Sequence, residues 1–205
     1  MRYLFICLLS FGTHILIAQD IQIKNLSGGL LSVGARSTIS AFNDSKTNNF
    51  GKGIGGQFRL QLSERVNTDW FFDYLTSDIG TVANRTDYHI GWSVLFYPYL
   101  KQNQILKPYV LAGHCFDYSY MVENNAQNNS AKRWSSAVQA GIGTHVNLTK
   151  RMDLSLTSQY MTHLGNHIDP VIYAGGVTFE NETGFSLEGH LLITVGLTYK
   201  LIDLW

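Results

Sequence analysis

The stretch that decides the fold is residues 185–205, FSLEGHLLITVGLTYKLIDLW. Every second residue from Leu191 to Leu201 is apolar, and the residues between them are mostly polar or glycine, with Leu192 as the exception. A period of two is that of an extended strand with two unlike faces. A long strand in this position has an unpaired edge unless it pairs with the first strand and closes a ring. The stretch therefore predicts a closed barrel.

Seven further segments alternate in the same way. They cover about residues 30–42, 52–63, 68–78, 86–97, 108–121, 133–148 and 152–164. Their connections alternate between longer polar loops and short turns, with the Pro98 connection fitting least well. An even number of strands, a period of two and long loops on one side are typical of an antiparallel up-and-down barrel. The prediction is all-β: one eight-stranded transmembrane barrel domain over residues 20–205.

The composition of the two faces predicts which one is outside. The polar face is mostly Ser, Thr, Gln, Gly and His, whereas the water-exposed exterior of a soluble barrel would be rich in Lys and Glu. Charged residues are only 15% of the chain, below the roughly 25% of soluble domains. The apolar face therefore suits lipid, with the aromatic residues near strand ends forming interfacial girdles. Those aromatics are Tyr88, Tyr97, Tyr99, Tyr109, Trp134 and Tyr199. The alternative is a soluble periplasmic, lipocalin-like carrier with an apolar cavity.

The N-terminus has the layout of a secretory signal peptide over residues 1–19. Arg2 supplies a positive start, an apolar run follows, and cleavage is expected after Ala18 or Gln19. A retained membrane anchor is disfavoured because Ser10 and the residues after it interrupt a run already shorter than the roughly 20 residues needed to span. The mature chain is therefore predicted to be exported.

Charge and cysteine content exclude several classes of function. The formal net charge is zero, so the chain has no basic field to attract nucleic acid. Cys7 lies in the predicted signal peptide, which leaves Cys115 without an internal disulfide partner. No spacing indicates a metal site, and no cofactor is predicted. Cys115 is expected to face lipid as a small apolar residue.

Several ionisable residues share the polar faces of the predicted strands. They are Arg36, Arg59, Asp73, His89, His114, His145, His163, Glu188 and His190. His163, Glu188 and His190 are expected near one rim, where such a group could bind a metal or do acid–base chemistry. The favoured interpretation is a polar network that fills a narrow lumen, since buried charges need partners. No catalytic residue and no metal ligand is assigned.

The whole predicted mature chain resembles the small eight-stranded outer-membrane β-barrel family, which includes OmpX and the barrel half of OmpA. The resemblance rests on the alternating strands and on the closing residues 195–201 with a final Trp205. Tyr199, Leu201 and Trp205 match the family's insertion signal, whereas Asp203 departs from it. The resemblance implies a monomer in the outer membrane of a Gram-negative bacterium, in contact with lipid and recognised by the barrel-assembly machinery.

A second resemblance concerns residues 163–166, His-Leu-Gly-Asn, which look like the His-x-Ser-Asn stretch of PagL-type lipid A deacylases. The position of the nucleophilic serine holds Gly165, so His163 has no hydroxyl to activate. A barrel enzyme acting on lipid A or phospholipid acyl chains is therefore the alternative function. The primary expectation is a structural or surface-interaction role without enzymatic activity.

The final predicted loop, residues 165–184, carries an apolar segment at residues 171–179. Such a segment would extend a hairpin beyond the membrane and offer an edge to a partner strand, or it would simply continue strand seven. The Asn-rich loops also suggest surface contacts, although Asn is an ordinary turn residue. The long loops are thus the expected place for a partner.

Overall fold

The computed structural model describes residues 28–42, 50–99, 105–174, 176–186 and 189–204. The described residues form β1 (Leu30–Phe42), β2 (Phe50–Gln61), β3 (Val66–Ile79), β4 (Ala83–Phe96), β5 (Leu106–Glu123), β6 (Ser130–Asn147), β7 (Met152–Tyr173), β8 (Gly176–Ser186) and β9 (Gly189–Asp203). The predicted signal peptide, Glu188 and Trp205 lie outside them. None of the described residues belongs to a helix long and apolar enough to cross a membrane.

Eight of these strands close into a ring. Each strand from β1 to β7 pairs antiparallel with the next, β7 then pairs with β9, and β9 returns to β1. The closing pair runs from Leu30 opposite Asp203 to Phe42 opposite His190. The predicted closed eight-stranded up-and-down barrel is confirmed. We call the end with the connections 62–65, 97–105 and 148–151 the turn side, and the opposite end the loop side.

β8 is not one of the eight predicted strands and lies outside the ring; it forms a hairpin with β7, one of the two structures that the apolar residues 171–179 suggest. β7 pairs with β9 as far as Thr162 and with β6 as far as Leu164. Beyond Gly165, whose φ is +137°, it pairs with β8. This β7–β8 hairpin places Ile168 and Val177 in one buried apolar cluster with residues of β3, β4 and β5. Because β3 is opposite β7 in the ring, the hairpin reaches across the loop-side end of the lumen.

The two faces of the wall are divided as predicted on most strands. Alternate residues of β9, from Leu191 to Leu197, are exposed on the outer face, whereas His190, Leu192 and Thr194 are buried inside. The same division holds along β3, where Trp70, Phe72 and Tyr74 are exposed. Apolar side chains therefore face outward, where lipid replaces water, and polar side chains face the lumen.

β5 is the exception, because its alternation is opposite to the prediction. Cys115 is fully buried in the lumen instead of facing lipid, and Leu111 and Tyr109 are buried on the same inner face. His114 lies on the outer face, next to the outward-facing Phe116. Tyr97 is also inside, so neither it nor Tyr109 belongs to an interfacial girdle.

The reversal on β5 follows from three apolar layers within the lumen. The loop-side layer contains Ile79, Ala83, Met121, Ile168 and Val177. The middle layer contains Phe71, Leu75, Cys115, Ala137, Met161 and Leu192. The turn-side layer contains Leu95, Tyr97, Tyr109 and Leu111. Room for the middle layer comes partly from glycine, since a Cβ at Gly91 would overlap the Phe71 ring.

Candidate functional site

The polar part of the lumen is organised around two hubs, and the first is the carboxylate of Asp117. Its Oδ2 lies 3.3 Å from Arg133 Nη2 and 3.3 Å from His163 Nδ1, and its Oδ1 lies 3.3 Å from His89 Nε2. His163 Nε2 is also 3.3 Å from His190 Nε2. All these side chains are at most 5% exposed. We call this group the loop-side cluster.

A second carboxylate extends the loop-side cluster towards β4. Arg85 Nε donates to both oxygens of Asp87, at 2.9 and 3.0 Å. The Ser119 hydroxyl is 2.5 Å from Asp87 Oδ1 and 3.2 Å from Asp117 Oδ2, so it joins the two carboxylates. Arginine and carboxylate charges are therefore paired within one buried network, as burial in a low dielectric demands.

A further ion pair lies between β1 and β3, where Asp73 is the register partner of His89 of the loop-side cluster. Arg36 Nε is 3.0 Å from Asp73 Oδ1, and the guanidinium carbon lies 4.5 Å from the centre of the Phe71 ring. Arg36 also donates to the Thr194 hydroxyl at 3.4 Å. The charge of Arg36 is thus satisfied by a carboxylate on one side and by an aromatic face on the other.

The second hub is the guanidinium of Arg59, near the turn side. Arg59 Nη1 is 3.0 Å from Asp153 Oδ1, and Arg59 Nε is 3.9 Å from Asp69 Oδ1. His145 Nδ1 lies 3.7 Å from the same Asp153 oxygen, and its ring stacks on Tyr109 with 4.6 Å between centroids. We call this group the turn-side cluster.

The structure brings most of the sequence-predicted residues into the lumen, but not into one site. His89, His163 and His190 belong to the loop-side cluster, whereas Arg59 and His145 belong to the turn-side cluster. His114 is not among them, because it lies on the outer face of β5. Glu188 lies outside the described residues, so its predicted place beside His163 stays a prediction.

Several lumen residues were not singled out from the sequence. They are Asp69, Arg85, Asp87, Asp117, Arg133 and Asp153. Asp117 shares its face with Cys115 and Leu111, so the reversed phase of β5 hid the hub carboxylate. The sequence places Asp153 on the polar face of strand seven. Its contact with Arg59 on β2 could not be predicted, because it depends on the closed ring bringing β7 and β2 to the same part of the lumen.

The polar side chains of the lumen are engaged mainly with one another. Among the described residues, no group of three or more His, Cys, Asp and Glu side chains is arranged to hold a metal ion. The hub carboxylate of Asp117 is occupied by its own partners, and the side chain of His163 is only 3% exposed. A buried network of charge pairs of this kind fixes the positions of the strands that supply it.

The outer wall carries an ordered row of aromatic residues towards the loop side. Tyr74, Tyr88, Tyr118 and Trp134 are successive register partners on β3 to β6. Their rings are in contact, with centroid separations of 5.3, 6.0 and 4.7 Å. Such a row is the pattern that aromatic side chains form at a membrane interface.

Comparison with known proteins identifies the fold. A scan against protein-family models finds no match, and a search of curated protein sequences finds none either. Among solved structures, the chain is similar to Ail, the attachment invasion locus protein of Yersinia pestis. The identity is 12%, the match covers 85% of this chain and 98% of that one, and the TM-score is 0.51.

Two further solved structures match equally well. For neisserial surface protein A, the identity is 16%, the coverage is 83% of this chain and 96% of that one, and the TM-score is 0.52. For the outer membrane protein OprG from Pseudomonas aeruginosa, the identity is 14%, the coverage 88% and 100%, and the TM-score 0.54. These matches concern the fold of the barrel. The chain has the fold of the small eight-stranded outer-membrane β-barrels.

Proposed function

We propose that this chain is an integral outer-membrane protein of a Gram-negative bacterium whose barrel is a closed scaffold with a structural or surface-interaction role. The observation that carries this proposal is the filling of the lumen. Three apolar layers lie at the two ends and in the middle, and the paired charges of Asp117 and Arg59 occupy the space near them. A barrel of eight strands is only wide enough for side chains to fill, so it is not expected to conduct ions.

The outer face supports lipid as the immediate partner. Exposed Leu, Ile, Val, Phe and Trp side chains cover the wall between the strand ends. Recognition by the barrel-assembly machinery is proposed through Tyr199, Leu201 and Trp205; Tyr199 lies on β9, where its hydroxyl accepts a hydrogen bond from Arg151 Nη1 at 3.1 Å. A ring that leaves no strand edge of its wall unpaired is consistent with a monomer.

The β7–β8 hairpin is the proposed surface element. Ile168 and Val177 anchor it over the lumen, whereas Val171, Ile172 and Tyr173 at its tip are exposed. The Asn129 side chain donates to Val177 O at 2.6 Å and holds the hairpin against the β5–β6 loop. One of the similar structures is an attachment invasion locus protein, which is compatible with contacts made through such exposed tips.

Neither alternative function fits the lumen as well. A soluble carrier needs a polar exterior in contact with water, but here exposed apolar side chains cover the outer wall. For a deacylase built on His163, the Gly165 position offers no hydroxyl, and His163 itself is turned towards Asp117. The buried groups therefore support a scaffold in preference to a carrier or a lumen enzyme.

Conductance measurement tests the proposal. The full chain, refolded into detergent, is first checked by gel migration with and without boiling, because closed membrane barrels migrate faster before heating. It is then added to planar bilayers. We expect no stable conductance steps, and an Arg59→Ala/Asp117→Ala variant that still migrates as a folded barrel serves as a control in which the plug is loosened. Reproducible open channels from the unaltered chain would contradict the closed scaffold.

A further inference from the structure

One serine and one histidine lie side by side on the outer wall, away from the lumen. His114 on β5 and Ser136 on β6 both face outward, where their register partners are Val138 and Phe116. His114 Nε2 is 2.6 Å from Ser136 Oγ. Both side chains are half-buried. The reversed alternation of β5, which removes His114 from the predicted lumen network, is what creates this pair.

Aromatic neighbours hold the imidazole in place. The Phe116 ring meets the His114 ring nearly edge-on, with 4.8 Å between centroids and 78° between planes. Trp92 is the register partner of His114 on β4 and faces the same way. The ring is thus oriented by packing, with one nitrogen directed at a hydroxyl. A hydroxyl within hydrogen-bond reach of an oriented imidazole is the nucleophile–base unit of acyl transfer.

The depth of the pair matches the position of lipid ester groups. Trp134 lies two residues from Ser136 on the same face of β6 and belongs to the outer aromatic row, in contact with Tyr118 at 4.7 Å. Aromatic rows mark the headgroup level, and one step along a strand face is about 6–7 Å. Ser136 therefore lies just beneath the headgroups, where acyl ester carbonyls are found.

We propose that Ser136 and His114 form an acyl-transfer site for ester-linked membrane lipids, an activity beyond the proposed scaffold function. Ser136 Oγ attacks the ester carbonyl carbon while His114 Nε2 takes the hydroxyl proton. The bond from that carbon to the lipid alkoxy oxygen then breaks, and His114 returns the proton to the leaving oxygen. Water from the interface attacks the acyl-serine, releasing a fatty acid and restoring the hydroxyl.

The surrounding backbone predicts slow turnover. Ser136 pairs with Phe116 on one side and with Leu164 on the other, so the neighbouring amides are engaged in the β5–β6 and β6–β7 ladders. Oxyanion stabilisation by backbone donors, which commonly contributes about 10²–10³-fold to the rate, is therefore weak. Covalent capture of the serine is the more sensitive readout than steady-state hydrolysis.

The test uses the refolded full chain in phosphatidylcholine–phosphatidylethanolamine vesicles. A fluorophosphonate probe is added, the labelled residue is mapped by mass spectrometry, and release of a fluorescent acyl chain from labelled phospholipid is followed in parallel. Labelling is expected at Ser136, and it should be lost in Ser136→Ala. His114→Gln, which keeps an amide at the imidazole position, should label about 100-fold more slowly or worse, as expected for loss of the base.

Ser158→Ala is the matched control, since Ser158 is an outward serine on β7 whose register partner is Ile142. Each variant is used only after its heat-dependent gel shift shows a folded barrel. Labelling that persists in Ser136→Ala, labelling unchanged by His114→Gln, or no labelling of the folded wild type would each overturn the proposal. None of these results depends on whether the barrel conducts ions, so the scaffold function is tested independently by the conductance measurement.

Discussion

Both the loop-side and the turn-side end of the lumen bury a cluster of charged side chains, but the central charge has opposite signs at the two ends. At the loop side, the central group is an anion, Asp117, surrounded by Arg133 and histidines. At the turn side, the central group is a cation, Arg59, shared between Asp69 and Asp153. Each cluster is bordered by an apolar layer at its own end of the barrel. Removing Asp117 takes a carboxylate away from Arg133 and two histidines, and removing Arg59 takes away the cation that Asp69 and Asp153 share.

The two clusters also differ in the number and length of the contacts that the central side chain makes, which indicates where a substitution should cost more. In the loop-side cluster, the two Asp117 oxygens gather three side chains from β4, β6 and β7 within 3.3 Å. In the turn-side cluster, one Asp153 contact is short, at 3.0 Å, and the Asp69 contact is longer, at 3.9 Å, with Asp69 15% exposed. The loop-side hub therefore joins more strands more tightly, and its loss is expected to cost more.

The largest effect is expected for Asp117→Ala. Arg133 loses its hub carboxylate in a buried site, and breaking a buried ion pair in this way costs about 3–5 kcal/mol. The free energy of unfolding, measured from the urea midpoint of the micelle-bound barrel by tryptophan fluorescence, should fall by that amount. Asp78→Ala, at an exposed carboxylate on β3, should stay within about 0.5 kcal/mol of wild type. An equally small loss for Asp117→Ala would show that the hub does not hold the strands.

A smaller loss is expected for Arg59→Met at the turn-side hub. Methionine keeps much of the side-chain volume but leaves two carboxylates near each other, at a cost of about 3 kcal/mol, less than at Asp117 because Asp69 is partly exposed. The same urea titration measures it, with Arg65→Met in the exposed β2–β3 turn as the control. If Arg59→Met costs more than Asp117→Ala, the ranking of the two ends is reversed.

The Arg36–Asp73 pair tests the comparison at a third position, because neither residue is a direct ion-pair partner of Asp117 or Arg59. Arg36→Met alone leaves Asp73 buried and unpaired, whereas Arg36→Met with Asp73→Leu removes both charges. Replacing a buried pair with apolar residues is often neutral. The free energy of unfolding of the double variant should therefore be within about 2 kcal/mol of wild type and higher than that of the single variant. A double variant as unstable as the sum of its singles would show that the pair is needed for a reason beyond mutual neutralisation.

How far the sequence predicts this molecule varies from strand to strand. The alternation of β9 and β6 is regular, because inward Thr194 and Gln139 contrast with outward Val195 and Val138, and closure follows from it. β5 misleads because inward Leu111 and Cys115 belong to apolar lumen layers and outward His114 is polar, although apolar Val110 and Phe116 also face outward. β8 is not among the predicted strands because the apolar residues 171–179 fit a hairpin and a continuation of strand seven equally well, and both occur: β7 continues past Gly165 and β8 pairs with that continuation.

The predicted lumen residues show the same limit. Polar residues on a regular strand, such as Arg59 and His163, can be assigned to the interior from period alone. Their partners come from strands far apart in the chain, Asp153 for Arg59 and Asp117 for His163. Those pairings depend on barrel stagger, which is fixed by the register of all eight strands together.

The smallest effect on the barrel is expected for Gly165→Ala, which probes the element that covers only the loop-side end. A Cβ at Gly165 would meet nothing within 4 Å, but its φ of +137° is one that side chains rarely adopt. The strain, about 1–3 kcal/mol, should be relieved by the β7–β8 hairpin moving away from Ile79 and Met121, which leaves the urea midpoint nearly unchanged. Protease cleavage within the hairpin of the folded protein should become faster by about 5-fold or more, the factor that 1 kcal/mol of local opening implies.

Gly56→Ala, where a Cβ has only ordinary contacts, should not change cleavage. Unchanged cleavage in Gly165→Ala would mean that the hairpin is held as firmly as the wall itself.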